Sequence, residues 1–253
     1  MDKQGLVLNG IGKQFYGITV LSDIDFEILP GEIHGLLGEN GAGKTTTIGC
    51  ILNTITKDSG TVKLFGQEML DADTILREKI GVVYDGDNFP PYWTAKQLSE
   101  VMEGLYTQWD NSLFQKYLED FQLPAKQKIK HYSRGMTMKL AIAAALAHHP
   151  ELLILDEATS GLDPIMRDEM LDVFLEFVQE ENHSILLSSH ITSDLEKVAD
   201  YITFIHKGKL VFSHDKDDLV DNYGIVSCGS VIFDTLDKTD TIAYRKEDYQ
   251  YKV

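Results

Sequence analysis

Cysteine, basic residues and long apolar runs are all scarce in this chain, and each scarcity excludes something. Cys50 and Cys228 are the two cysteines. Two do not make a disulfide framework, and they suit a reducing cytosol. Lysine and arginine number 23 against 40 aspartates and glutamates, for a formal net charge of −17. That balance argues against broad binding to nucleic-acid backbone and against polybasic attraction to anionic lipid. No stretch approaches the ~18–20 apolar residues of a membrane-spanning helix. Met1-Asp2-Lys3-Gln4-Gly5 lacks the character of a secretory signal. There is no internal repeat and no low-complexity tract. The expectation is a cytosolic chain whose membrane role, if any, comes through a partner. Its 253 residues, 43% hydrophobic, are enough for one large domain or a core with a subdomain.

What the chain does have is Gly38-Glu39-Asn40-Gly41-Ala42-Gly43-Lys44-Thr45, followed by Thr46 and Thr47. Two glycines with four residues between them, then Lys and Thr, fit the phosphate-binding loop. Gly38, Gly41 and Gly43 let the backbone turn tightly and bring its N–H groups to phosphate oxygens. A helix starting near Gly43 points its positive end at the same oxygens. Lys44 adds a compact cation for the β- and γ-phosphates, and the Thr45 hydroxyl is a hard oxygen suited to Mg²⁺. The context agrees: residues 32–37 read as a strand and 46–52 as a helix.

Around this loop, residues 6–8 and 18–29 read as strands, and Phe15-Tyr16-Gly17 carries an aromatic that either stacks on a purine or packs. Residues 61–66 and 80–84 read as strands, the second ending at Asp85-Gly86-Asp87. From Thr94 the apolar period becomes helical, with Leu98, Val101, Met102 and Leu105 on one face, and nothing strand-like follows until His149. Residues 152–155 are a continuous apolar run, as in a parallel strand buried on both faces, and end in Asp156-Glu157. Asp163-Pro164 marks a helix start. Residues 184–190 form another buried strand ending at His190, and 201–212 a hairpin. Residues 215–221 read as helix and Ile225 to Phe233 as strand. The ending on Tyr249-Gln250-Tyr251-Lys252-Val253 reads as a C-terminal extension cut short or lacking a further small subdomain.

Three strand ends thus carry chemistry, and parallel α/β sheets gather such groups at the carboxyl ends of their strands. Asp156 fits a Mg²⁺-binding carboxylate, direct or through water. Glu157, pointing elsewhere, suits a base that polarises water for in-line attack on the γ-phosphate. His190 is placed to hydrogen-bond the γ-phosphate or that water, or serves structure.

Tyr132-Ser133-Arg134-Gly135-Met136 opens a helix over 137–148, and Ser160-Gly161-Leu162-Asp163 follows Glu157. In this order, with the loop, insert, acidic strand and histidine, the motifs resemble the ATP-binding cassette (ABC) transporter family from residue 6 to about 213. The resemblance implies an α/β fold: a P-loop NTPase core with a mainly parallel sheet, an N-terminal antiparallel β-subdomain and an inserted α-helical subdomain. It divides the chain into a core (1–84 and 150–213), a helical region (85–149) and an extension (214–253). It also implies an ATP-hydrolysing subunit that drives a separate transmembrane permease, peripheral to the cytoplasmic face. Residue by residue, Tyr16 would stack on adenine, Gly38 to Thr46 would cradle ATP, and Thr45 and Asp156 would serve Mg²⁺. Glu157 would be the general base, His190 the γ-phosphate sensor, and Lys44 a phosphate ligand. Ser133 and Gly135 would contact ATP bound to a second cassette, as homodimer or heterodimer, and Asp163 would bridge the two. The 106–110 run, the Ser-Arg-Gly-Met signature and the segment from His190 to Glu196 resemble bacterial two-part exporters of peptides or antimicrobials.

The chain also departs from the family pattern. Asp85 stands where Gln usually ligands Mg²⁺, so Asp85 joins the candidate metal ligands. Tyr132, Arg134 and Met136 depart from Leu-Ser-Gly-Gly-Gln, and Ala158 replaces a usual Pro. Arg134 either faces the partner's nucleotide or projects into solvent. Tyr84, Phe89, Tyr92 and Trp93 either line a groove for the membrane subunit or pack the insert on the core. The competing readings are a degenerate cassette that only binds ATP beside an active sister, and a soluble cassette ATPase outside transport.

Overall fold

The structure is a computed structural model that describes residues 5–69, 73–86, 88–224, 227–236, 244–247 and 250–252. Expectations for Met1 to Gln4, Asp87, Ile225, Val226, Tyr249 and Val253 fall outside these residues. The chain divides into two compact units, 1–214 and 215–253.

The first unit opens with the hairpin β1 (Leu6–Phe15) and β2 (Ile18–Ile28). Phe15 is the last residue of β1, and Tyr16 and Gly17 form the tip between the strands, so the aromatic segment lies within the hairpin. Tyr16 and Gly17 both have positive φ, 51° and 80°, which closes the two-residue turn. β3 (Ile33–Leu37) leads into α1 (Lys44–Ile51). β4 (Ser59–Leu64) and β5 (Gln67–Glu68) complete an antiparallel sheet of order β2-β1-β4-β5. The short α2 (Thr74–Glu78) precedes β6 (Ile80–Tyr84).

The helical insert then holds α3 (Ala95–Leu105), α4 (Asn111–Asp120) and α5 (Arg134–Leu146). A capping box, in which Thr94 and Gln97 bond reciprocally, starts α3. The insert has its own core around Leu98, Phe114, Leu118 and Leu140. α5 begins three residues before the expected Thr137, because Ser133 is already its N-cap, and ends at Leu146 rather than His148.

β7 (Leu152–Asp156), α6 (Pro164–Phe177), β8 (Ser184–Ser189), α7 (Thr192–Val198), β9 (Tyr201–His206) and β10 (Lys209–Asp215) follow. The second sheet has the order β10-β9-β3-β8-β7-β6, and every pairing described from β9 to β6 is parallel. Every residue of β7 and β8 is buried, as an apolar run covered on both faces requires. α1 touches β1 and β2 on one side and β7 on the other. The main core therefore runs from Leu6, Leu8 and Ile24 through Ile48 and Ile51 to Leu152 and Ile154.

Among the described residues β6 is an edge strand, and side chains meet outer groups at its two ends. The Asn88 amide accepts from Tyr84 N–H (3.0 Å) and donates back to Tyr84 O (2.9 Å). His148 Nε2 lies 3.2 Å from Ile80 O.

The second unit holds α8 (Lys216–Asn222), β11 (Ser227–Cys228), α9 (Ser230–Phe233), β12 (Arg245–Glu247) and β13 (Gln250–Lys252). The helix expected over 215–221 is α8. The strand expected from Ile225 to Phe233 is corrected: β11 ends at Cys228, and Gly229 begins a helix instead. Phe233 stacks on Tyr251 with ring centroids 3.9 Å apart.

Candidate active site

The phosphate loop is shaped by glycines, some for their backbone angles and some for want of room. Gly41 and Gly43 have φ of 81° and 116°, a region most residues avoid. A Cβ on Gly38 would sit 2.6 Å from Ile205 O, and one on Gly43 would sit 2.7 Å from Leu21 Cδ2. The loop is thus pinned between β2 and β9, and Gly208 N–H donates to Ala42 O at 2.8 Å to hold its far side. Glu39, Asn40, Gly41 and Thr45 stay exposed at the rim, with Thr46 half-buried behind them. An open depression of about 450 Å³ beside the loop is lined by Gly38, Glu39, Asn40, His190, Thr192 and Phe204.

Lys44 is 6% exposed, and its ammonium donates to Gly38 O at 2.7 Å and Glu39 O at 3.3 Å. It also pairs with Glu157 Oε1 at 2.9 Å. The other oxygen of Glu157 accepts from His190 Nδ1 at 2.6 Å. The carboxylate that follows β7 therefore joins the start of α1 to the residue that follows β8. Asp156 is buried and accepts from Ser188 Oγ at 2.6 Å. The same hydroxyl accepts from Glu157 N–H at 3.1 Å. Asp156 and Ser188 face each other in register across β7 and β8, so a single hydroxyl spaces the two acids. Glu157 has φ 54°, which turns its side chain away from that of Asp156. Tyr84 lies opposite Asp156 on β6, and its phenol is pushed up by burial and then by the Asp156 charge.

Lys44, Asp156, Glu157 and His190 are therefore brought together, and Ser188 is a member the sequence reading missed. Its signal was visible only as polar residues at the end of a buried strand. The loop also fits the group it was expected to hold. Its backbone curls around a buried cation whose partners are two carbonyls and one carboxylate, an arrangement suited to an anion with several oxygens.

The other candidates lie apart. Tyr16 is wholly exposed, so packing is not its role. Ser133 caps α5 by accepting from Met136 N–H at 3.2 Å, and Asp163 caps α6 by accepting from Ile165 and Met166 N–H. Gly135 is buried, and a Cβ there would strike Met166 Cε. Among the described residues no hydrogen bond or ion pair joins 133–136 to the phosphate loop.

Asp85 and Arg134 meet each other: Arg134 Nη2 donates to Asp85 Oδ1 at 2.7 Å. Arg134 is thus paired with Asp85 in the separate chain while its side chain stays open to water. The four aromatics near Asp85 divide. Phe89 and Trp93 pack against the insert's core, whereas Tyr84 is partly exposed and Tyr92 is exposed under Lys130, whose Nζ is 5.0 Å from its ring. Phe89, Pro91, Ile129 and Tyr132 line a depression of about 480 Å³ beside Asp85.

The model of the ABC transporter family matches residues 21–160, more than half of the chain. This chain belongs to the ABC transporter family. Among curated relatives, the cassette is 38% identical over 201 residues to the bacitracin transport ATP-binding protein BcrA of Enterococcus faecalis. That match covers 79% of this chain and 65% of the relative, so the chain spans just under two thirds of the relative's length. The lantibiotic transport ATP-binding protein SrtF of Streptococcus pyogenes is 32% identical, with 84% of this chain and 91% of that protein covered. Among solved structures, an ATP-binding subunit of an ABC transporter superposes with a TM-score of 0.77 at 26% identity, covering 85% and 92% of the two chains. In this chain the phosphate loop, the acidic pair and the histidine follow the carboxyl ends of the neighbouring parallel strands β3, β7 and β8.

Proposed function

We propose that this chain is the ATP-binding and ATP-hydrolysing subunit of a bacterial exporter, driving a separate transmembrane subunit by closing on a second cassette around ATP. The observation that carries the reading is the Glu157 carboxylate, held between Lys44 and His190 beside an Asp156 fixed by Ser188. Glu157 takes the proton of the attacking water as its oxygen bonds the γ-phosphorus. The bond to the β-phosphate oxygen breaks, leaving ADP and phosphate. His190 keeps that carboxylate aimed. Lys44, paired in the free chain, has richer partners in phosphate oxygens. Thr45 and Asp156 would hold Mg²⁺, which supplies neutralising charge to the phosphates when bound. Asp85, the third metal candidate in the sequence, holds Arg134.

The separation of Ser133 and Gly135 from their own phosphate loop supports a site completed by a second chain. Tyr16, at its exposed hairpin tip, is free to meet adenine. Core, helical region and extension are read as 1–84 with 150–213, 85–149, and 214–253. The depression beside Asp85 suits a helix of the membrane subunit, which would hold the cassette at the cytoplasmic face. The bacitracin and lantibiotic relatives favour peptide antibiotics as cargo. No described helix is long and apolar enough to cross a membrane.

The test is phosphate release across a protein concentration series, with Glu157→Gln alongside. A rate rising faster than linearly, and falling by about 10²–10⁴ in the variant, is expected. A linear rate that survives in Glu157→Gln would count against both the dimer and the base.

A further inference from the structure

Two departures from the family pattern touch each other, and one of them, Arg134, touches a third motif. Arg134 is the first residue of α5, and no acidic residue lies in that helix's first turn. A cation at the positive end of a helix is unfavourable without an anion beside it. Asp85, at the end of β6, supplies the anion. The guanidinium also lies against Gly161: a Cβ there would come 2.5 Å from Nη1 and 2.7 Å from Cζ. Gly161 has φ 68° and belongs to the loop that leaves Glu157, in which Ser160 N–H donates to Glu157 O at 3.0 Å. Arg134 therefore rests between the end of β6 and the loop that begins at the proposed base.

We propose that Asp85 is a removable stand-in for phosphate: it holds Arg134 in the separate chain and yields it to the terminal phosphate of ATP bound by a second cassette. This deepens the sandwich reading and rests on it. The pair is open to water, with side chains 52% and 44% exposed, and exposed ion pairs are weak and therefore exchangeable. The planar fork of arginine fits phosphate as well as carboxylate. The exchange moves the guanidinium off Gly161, so the base's loop is released when the second chain's nucleotide arrives. Asp85 acts through Arg134 and is a positioning residue.

The test uses the full chain in a Glu157→Gln background, where ATP persists. The readout is the protein concentration at which half the chains are dimeric in Mg-ATP, by analytical ultracentrifugation. Asp85→Asn removes the competing anion and should lower that concentration about two- to fivefold. Arg134→Gln should raise it, and adding Asp85→Asn to Arg134→Gln should change nothing more. The Mg²⁺ concentration that half-saturates nucleotide binding by the monomer should be the same with Asp85→Asn. An Asp85→Asn effect that persists without Arg134, or that goes the other way, would overturn the exchange. So would a shifted Mg²⁺ requirement, which would make Asp85 a metal ligand. A parent that never dimerises with ATP would overturn the sandwich reading itself, whereas a dimer indifferent to Asp85→Asn overturns the exchange alone.

Discussion

Ser188 shows how much a single hydroxyl can settle. It donates to Asp156 and accepts from the Glu157 backbone, so the two adjacent acids are given different directions by one side chain on the next strand. Ser188→Ala removes both bonds while leaving the fold's packing intact. Its expected effect is about a tenfold rise in the Mg²⁺ needed for half-maximal hydrolysis, read in a Mg²⁺ titration at saturating ATP, by analogy with lost hydrogen bonds behind metal ligands. Lys44, Asp156 and Glu157 were legible as candidates in the sequence because the loop motif and the acidic strand end each mark where they sit, and the structure brings them together. Ser188 was not, because its partner is set by the register of β7 on β8. The same holds for Arg134 and Asp85, which are 49 residues apart and meet only through the docking of the insert.

At the scale of elements, the joint between β6 and the insert carries a titrating group. His148 is 3% exposed, stacks on Tyr106 with centroids 4.1 Å apart, and bonds Ile80 O. Burial pushes its imidazole down from the ordinary histidine value, against the smaller upward pull of the Ile80 and Ala144 carbonyls. The neutral ring is therefore the folded form, and the unfolded chain binds the proton more readily. Stability is fully present above the unfolded pKa of about 6.5 and is lost as pH falls from there toward the depressed folded value. Urea midpoints should drop between about pH 7 and 5, and His148→Phe should flatten that drop.

Elements were read well where one residue dictates them. Asp163-Pro164 started α6, and Lys207-Gly208 turned β9 into β10. They were misread where a boundary depends on context. α5 starts at its Ser133 cap rather than at the first good helix formers. The stretch up to Phe233 is rich in β-branched and apolar residues like a strand, but the strand stops at Cys228 and a short helix follows Gly229. Tail residues had few neighbours to enforce a periodic pattern.

At the scale of the molecule, the parallel sheet was legible because buried strands are apolar throughout and end in polar groups. Its order, with β3 between β9 and β8, was not, since no local signal encodes which strands lie side by side. That order leaves β6 on the outside, and the consequence concerns crowding rather than chemistry. An open sheet margin is a template on which a stranger's backbone can crystallise. Here Asn88 completes Tyr84 as a neighbouring strand would, and His148 closes over Ile80. Asn88→Ala should leave activity's machinery untouched yet raise turbidity on prolonged incubation a few degrees below the melting point. With Tyr84 and Ile80 already met by side chains, that margin offers a poorer seam for a second backbone to join.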